Sequence, residues 1–505
     1  MIRKVLTLRN VRRIYAVFFM LLFIVLLWLT SFKRMKGYET GLFLELDPLA
    51  AIASFLTSWT LYKGLALSLL IITGTLFFGR FFCSWICPMG TINQVAGSVF
   101  NKLRAADTIA LNTYRILYRF KYYVLAFFLV LAAFGPLQTG LLDPIPFITR
   151  AFAVSVFPAI NQGRGWLYLR QPLFHGGTFL GLIFLSVILA NRFLPRFWCR
   201  AVCPLGALLG LLSVRPLLSI RRDVDLCTDC KKCLTHCHGG CDPHSAIRVT
   251  ECHLCMNCIE DCPEEAIHYG LAKPSSSVQM PLDVSRRRLI EGAIAGAVLF
   301  PVMRSTISSG TTPQYQVIRP PGSIAELNFL RRCIKCGECM KVCPTNAIQP
   351  ALFEAGFEGL WTPVLISRIG YCEYNCVLCS RVCPTGAITP LTLEKKLGTP
   401  PGQKPLRIGT AFYDRGRCLP WAMNTDCIVC EEVCPTSPKA IWFQTVEVQL
   451  RDGGTKILKR PYIDPNLCIG CGICENKCPI RDHAAVRVTS VGETRSTTNQ
   501  MMLKS

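Results

Sequence analysis

The sequence predicts an α-helical membrane domain joined to small α+β domains built around cysteine. Three observations carry that prediction. Four apolar segments fall within the first 200 residues, the composition turns polar near residue 220, and 29 cysteines recur at short, regular intervals. The chain has 505 residues, of which 51% are hydrophobic, and a mean hydropathy of +0.35. That is too apolar for a wholly soluble protein and too long for one domain.

The predicted spans lie at roughly 14–32 (IYAVFFMLLFIVLLWLTSF), 64–82, 121–139 and 176–195. Each is long enough to cross a hydrocarbon layer of about 30 Å at about 1.5 Å per residue. MIRKVLTLRNVRR places five basic residues ahead of the first span, so the N-terminus is expected inside. The net charge of +23 gathers beside apolar segments, as orientation signals do, and no nucleic-acid motif accompanies it.

The membrane part, 1–216, is internally duplicated. LELDP at 44–48 precedes RFFCSWICPMG at 80–90, and LLDP at 141–144 precedes RFWCRAVCPLG at 196–206. Each half reads as helix, Leu-Asp-Pro turn, helix, then C-x3-C-P. Two halves of equal topology imply a pseudo-two-fold axis along the membrane normal. The axis should gather Cys83, Cys87, Cys199 and Cys203 on the inner side and pair Asp47 with Asp143 on the outer side, where Glu45 and His175 are also expected.

The remaining cysteines form six motifs. Cys227, Cys230, Cys233, Cys237 and Cys252, Cys255, Cys258, Cys262 lie in a domain at 217–272. A segment at 273–310 follows, containing SRRRLIEGAIAGAVLFPVM. Beyond it, at 311–505, come Cys333, Cys336, Cys339, Cys343; Cys372, Cys376, Cys379, Cys383; Cys418, Cys427, Cys430, Cys434; and Cys468, Cys471, Cys474, Cys478. Three thiolates within seven residues wrap one cuboidal iron–sulfur cluster, and the fourth cysteine, set off by a proline turn, ligates the partner cluster. Structural zinc needs two knuckles a dozen or more residues apart, which this spacing lacks. Six [4Fe–4S] clusters are therefore expected. In the first domain Cys262 should complete the Cys227 set, and Cys237 should complete the Cys252 set, with Cys241 as the alternative. In 311–505 the motifs can pair neighbour with neighbour, or first with fourth and second with third. The sequence holds seven histidines, of which His175 alone lies in the first 230 residues, so paired axial haem ligands are not expected.

Together these motifs resemble a known family. Residues 1–272 resemble NapH-type membrane ferredoxins. Residues 285–490 resemble the NapG/MauM type, with a twin-arginine leader and the variant stretch RCLPWAMNTDCIVCEEVCPTSPKAI. The chain reads as the two fused. The fold class is then a helical membrane domain of four spans in two repeats, a fifth anchor, and α+β ferredoxin-like iron–sulfur domains. The resemblance implies quinol oxidation at a prokaryotic cytoplasmic membrane, with electrons passed through the clusters to a periplasmic reductase or cytochrome. The first ferredoxin would be cytoplasmic and the distal one exported through SRRRLI.

Two sets of residues invite finer readings. Cys83, Cys87, Cys199 and Cys203 are a shared metal or iron–sulfur centre, redox-active thiol pairs, or packing residues. Asp47 and Asp143 are candidate acceptors for quinol protons, or simply turn starters. Two rivals to the quinol dehydrogenase stand beside it: a conduit whose partner carries the quinol site, and a redox-sensing or assembly factor.

Overall fold

The computed structural model describes residues 7–500 apart from 32–33, 36–39, 61, 101–104, 164–173, 246, 272–283, 309–316, 400–401 and 451–452. Among them a helical layer lies between two cysteine-rich ends. Its main helices are α1 (Leu8–Leu29), α2 (Pro48–Ser58), α3 (Ser68–Phe78), α4 (Pro88–Phe100), α5 (Phe120–Ala133), α6 (Pro144–Ala151), α7 (Gly177–Leu189), α8 (Pro204–Leu212) and α9 (Arg286–Ser308).

Two helical stretches are long and apolar enough to cross a membrane by length and composition, Leu8–Leu29 and Asp107–Ala133. The expected second and fourth spans are shorter here, Gly64–Phe78 and Gly177–Arg192. The second stops early at Gly79, whose φ of +80° ends α3 before the cysteines, and each Leu-Asp-Pro, read from sequence as a plain turn, differs as well. Each instead starts a further helix, α2 and α6. Proline at the first helical position has φ preset and lacks an N–H that would go unused there, and Asp47 caps α2 by accepting from Leu49 N (3.0 Å) and Ala50 N (3.4 Å). Each half is thus a long helix, a short buried one, and a third that leads to the cysteines.

The helices alternate between the two ends. At the inner end α1 starts beside Glu260 and Asp261, which pair with Arg9. There α3 stops beneath the Tyr269 hydroxyl, which donates to Phe78 O at 3.1 Å, and α5 starts where Tyr122 and Lys121 meet Glu251. At the other end Thr57 Oγ1 donates to Arg331 O (2.6 Å), His175 N donates to Gln349 Oε1 (2.9 Å), and Phe179 stacks on Trp361. The domain at 217–272 and the domain beyond 316 therefore sit on opposite faces of the helical layer.

Helix α9 joins them. It lies alongside α5 in the same direction: Gly292 faces Tyr123, Gly296 faces Phe127, and Phe300 stacks on Phe134. A Cβ on Gly296 would lie 2.7 Å from Phe127 O, so the close approach of the two backbones requires glycine there. At 23 residues α9 is longer than the 15 apolar positions in its sequence suggest, and about 34 Å of helix carries the chain from one end to the other.

Each cysteine-rich unit rests on two-stranded antiparallel pairs. In the inner domain β1 (Leu218–Arg222) pairs with β2 (Ile267–Leu271). In the distal domain β3 (Ile348–Pro350) pairs with β4 (Pro363–Leu365), β5 (Thr410–Tyr413) with β8 (Val486–Thr489), and β6 (Ile441–Gln449) with β7 (Thr455–Ile463). Strand pairs that join the ends of a segment hold two cysteine motifs face to face.

Candidate iron–sulfur and carboxylate sites

In the distal domain the cysteines gather in fours that cross between motifs. Cys333, Cys336 and Cys339 line one cavity with Cys383, while Cys372, Cys376 and Cys379 line the next with Cys343. Cys468, Cys471 and Cys474 surround a third with Cys434, and Cys418, Cys427 and Cys430 have Cys478 as their neighbour. Neighbouring motifs thus exchange their last cysteine, and of the two pairings open in the sequence the structure adopts this one. The donor sets fit cuboidal clusters: four sulfurs around a cavity, with backbone N–H groups aimed at them, as from Ala411 N to Cys468 Sγ (3.5 Å) and Ile388 N to Cys383 Sγ (3.4 Å).

The inner domain repeats the arrangement. Cys227, Cys230, Cys233 and Cys262 line a cavity with Arg222. Cys237 is an electrostatic neighbour of Cys252, Cys255 and Cys258. Cys241 is buried as well, 3.7 Å from Cys237 Sγ, and within hydrogen-bonding reach of Cys252. Its sulfur neighbours are Cys237 and Cys252, whereas Cys237 neighbours all three of Cys252, Cys255 and Cys258. Gly239 explains the detour of the chain, because a Cβ there would clash with Glu251 O.

The duplicated C-x3-C-P motifs do converge. Each of Cys83, Cys87, Cys199 and Cys203 is buried, and each has others of the four as electrostatic neighbours. Both motifs close with the same wide turn: Cys87 N donates to Phe82 O at 2.9 Å, and Cys203 N to Trp198 O at 2.9 Å. Such i to i−5 turns are uncommon and concentrate at functional sites. Pro88 and Pro204 then open α4 and α8, and Gly206 N donates to Cys203 Sγ at 3.1 Å.

Arginines from the motifs tie this region to the inner domain. Arg80 donates to Thr250 O (2.5 Å), Arg200 to Cys237 O (2.7 Å) and His238 O (2.9 Å), and Arg196 lies 3.3 Å from His253 Nδ1. Burial first, then neighbouring guanidiniums, pushes both His238 and His253 well below the ordinary imidazole range. They are neutral at physiological pH. These arginines were visible in the sequence only as orientation signals; their part in the interface needed the fold.

The pseudo-two-fold also pairs Asp47 with Asp143. Both are fully buried, not solvated, and each is the other's electrostatic neighbour. Neither carboxyl has another side-chain partner among the described residues. Two neighbouring carboxyls buried together disfavour double ionisation, because like charges repel and neither anion is solvated. Asp143 follows Gly140, where a Cβ would clash with Ile334 O in the loop between Cys333 and Cys336. Arg150, at the end of α6, donates to Lys335 O in that loop (2.7 Å) and to Gly140 O (3.1 Å). His175 and Glu45 lie toward this same end, apart from the pair.

Comparison with known proteins agrees with the cysteine chemistry. A family model described as a 4Fe-4S binding domain matches residues 60–105 and 176–222, and another of the same description matches 330–349 and 461–481. The methylamine utilization ferredoxin-type protein MauM of Methylorubrum extorquens is 32% identical over 224 residues, 43% of this chain and 91% of that protein. The ferredoxin-type protein NapG of Escherichia coli is 30% identical over 173 residues, 34% of this chain and 69% of its own length. The putative electron transport protein YccM of Escherichia coli is 31% identical over 200 residues, 39% of this chain; the chain spans about half, 52%, of that relative. No solved structure matches.

Proposed function

Since this chain belongs to the family of MauM- and NapG-type ferredoxin proteins, carriers of 4Fe-4S clusters in electron transport, we propose that it is a membrane-bound quinol dehydrogenase module fused from a NapH-like and a NapG-like part. It takes electrons from menaquinol or ubiquinol and delivers them through six [4Fe–4S] clusters to an extracytoplasmic reductase or cytochrome. The observation that carries the reading is the buried Asp47–Asp143 pair beside the first distal cysteine loop.

Quinol oxidation releases two protons with its two electrons. A carboxyl pair that resists double ionisation holds one proton, accepts another at a free oxygen of either side chain and passes it on toward the distal face. Carboxyls buried in a helical layer are costly and are kept for such work. Arg150 and Lys335 fix the loop of Cys333 and Cys336 against that point, so that a donor at the carboxyl pair stands next to the first cysteine set. The clusters, when bound, supply one-electron transfer and thereby split the two-electron donor from its one-electron acceptors.

The topology supports the same direction. The exposed flanks of α1, α3, α5 and α7 are apolar, with Phe18, Leu21, Leu69, Leu70, Phe179 and Leu182 all outward. Helix α9, starting at the twin arginines Arg286 and Arg287, leads to the face opposite the N-terminus, and its packing on α5 suits a retained anchor. The distal domain then lies outside and the first ferredoxin inside.

The test is EPR on the anaerobically purified chain after addition of a quinol analogue. Signals of reduced clusters support the reading. Clusters that respond to dithionite and stay silent with the quinol overturn it in favour of a conduit whose partner holds the quinol site.

A further inference from the structure

Besides the six cysteine sets of the ferredoxin domains, one more group of four sulfurs is enclosed in the protein. Cys83 and Cys87 come from one half of the duplication, Cys199 and Cys203 from the other. The family model described as a 4Fe-4S binding domain covers each half separately, yet each matched stretch contains just two cysteines. Neither half can hold a cluster by itself.

The surroundings reveal what the four sulfurs need. Arg12, Arg80, Lys121, Arg196 and Arg200 are each at most 2% exposed, and the one carboxylate buried among them is Glu251. Five cations and one carboxylate leave an excess of four positive charges in a region without water access. Burying even one uncompensated charge is strongly unfavourable. The sulfurs are their remaining neighbours: Arg80 faces Cys83 and Cys203, Arg196 faces Cys199, Cys83 and Cys255, Lys121 faces Cys203, and Arg12 faces Cys255. A [4Fe–4S] core with four thiolates is a dianion when oxidised. One at Cys252, Cys255, Cys258 and Cys237 and one at the paired motifs balance the cage.

Geometry separates a cluster from the other readings. Among the described residues no three His, Cys, Asp or Glu side chains stand close enough to hold a single metal ion. The ferredoxin sets fail that same test, since sulfurs that surround a cube stand farther apart than those around one ion. Neutral packing cysteines would leave the cations uncompensated. Glycine is also required beside each pair. A Cβ on Gly90 would strike Cys83 O, and one on Gly206 would lie 3.3 Å from Cys203 Sγ and 3.0 Å from Arg80 Nη2. The wide turns at Phe82–Cys87 and Trp198–Cys203 face both cysteines of each motif to the same centre.

We infer that Cys83, Cys87, Cys199 and Cys203 jointly bind a seventh [4Fe–4S] cluster on the pseudo-two-fold axis, between the inner ferredoxin and the helical layer. This reading is independent of the quinol reaction and stands or falls without it.

Iron, acid-labile sulfide and zinc are counted on the full chain purified anaerobically, with Mössbauer spectra of ⁵⁷Fe-labelled protein. The expected result is about 28 irons per chain, seven clusters of four. Cys83→Ser combined with Cys199→Ser should lose about four irons and leave the spectra of the other clusters unchanged. About 24 irons in the wild type, with none lost in the variant, overturns the inference, as does stoichiometric zinc. Where the variant loses all iron through misfolding, the wild-type count still decides between about 28 and about 24. Neither count depends on adding quinol, so failure here and failure of the quinol reading are told apart.

Discussion

At the residue scale, the proposed proton handling is tested at two side chains. Asp47→Asn or Asp143→Asn keeps the volume but removes one proton acceptor. Quinol-driven reduction of the clusters should slow by about 100-fold or more, within the range of general acid–base effects, while reduction by dithionite is unchanged; stopped-flow absorbance checks both. A second pair of residues tests ligand choice. Cys237→Ser should cost the chain about four irons, and Cys241→Ser should cost none, because Cys237 neighbours all three of Cys252, Cys255 and Cys258 while Cys241 neighbours only Cys237 and Cys252. Equal loss in both variants would mean that the two sulfurs share the role. Glu251 is the third case. It accepts from Tyr122 and pairs with Lys121 between the inner domain and the layer. Glu251→Gln leaves a buried cation unpaired and should destabilise the chain by about 3–5 kcal/mol, visible as a lowered Tm in detergent.

At the scale of elements, the informative one is α9. A leader that is cut off after export makes no lasting contact, whereas α9 is seated on α5 through Gly292 and Gly296. Gly296→Leu forces the backbones apart and should cost about 1–3 kcal/mol, as overpacking does. A Tm equal to that of the wild type would mean that the segment does not rest there. The short helices α2 and α6 teach a different lesson. Their start signal, Asp followed by Pro, is plain in the sequence, yet LELDP and LLDP read equally well as turns. Asp-Pro serves both purposes, and a buried 11-residue helix differs from a loop through tertiary packing that no local pattern records. The cysteine motifs were legible because three ligands of one cluster lie within seven residues. Their fourth ligand lies in another motif, and only the strand pairs bring it near.

At the scale of the molecule, the prediction concerns sidedness. Epitope tags at 273–283 and at the C-terminus should differ in spheroplasts: protease added outside removes the second and spares the first. Replacing Arg286 and Arg287 by Lys should protect both, since an export signal of this kind depends on the arginines. Removal of both tags in the wild type would contradict the alternating arrangement of α1, α3, α5, α7 and α9.

What the sequence determined by itself was chemistry of short range. The grouping of the cysteines into motifs, the duplication, and the meeting of Asp47 with Asp143 all followed from spacing and repetition, because motif spacing and internal symmetry are written directly in residue order. The tertiary structure alone decided which motifs exchange cysteines, that the carboxyl pair is buried against the distal domain, and that Arg12, Arg80, Lys121, Arg196 and Arg200 enclose sulfur rather than face a membrane surface. Those outcomes depend on which segments meet across hundreds of residues. A charge beside an apolar run reads the same in sequence whether water or a buried anion lies on its other side.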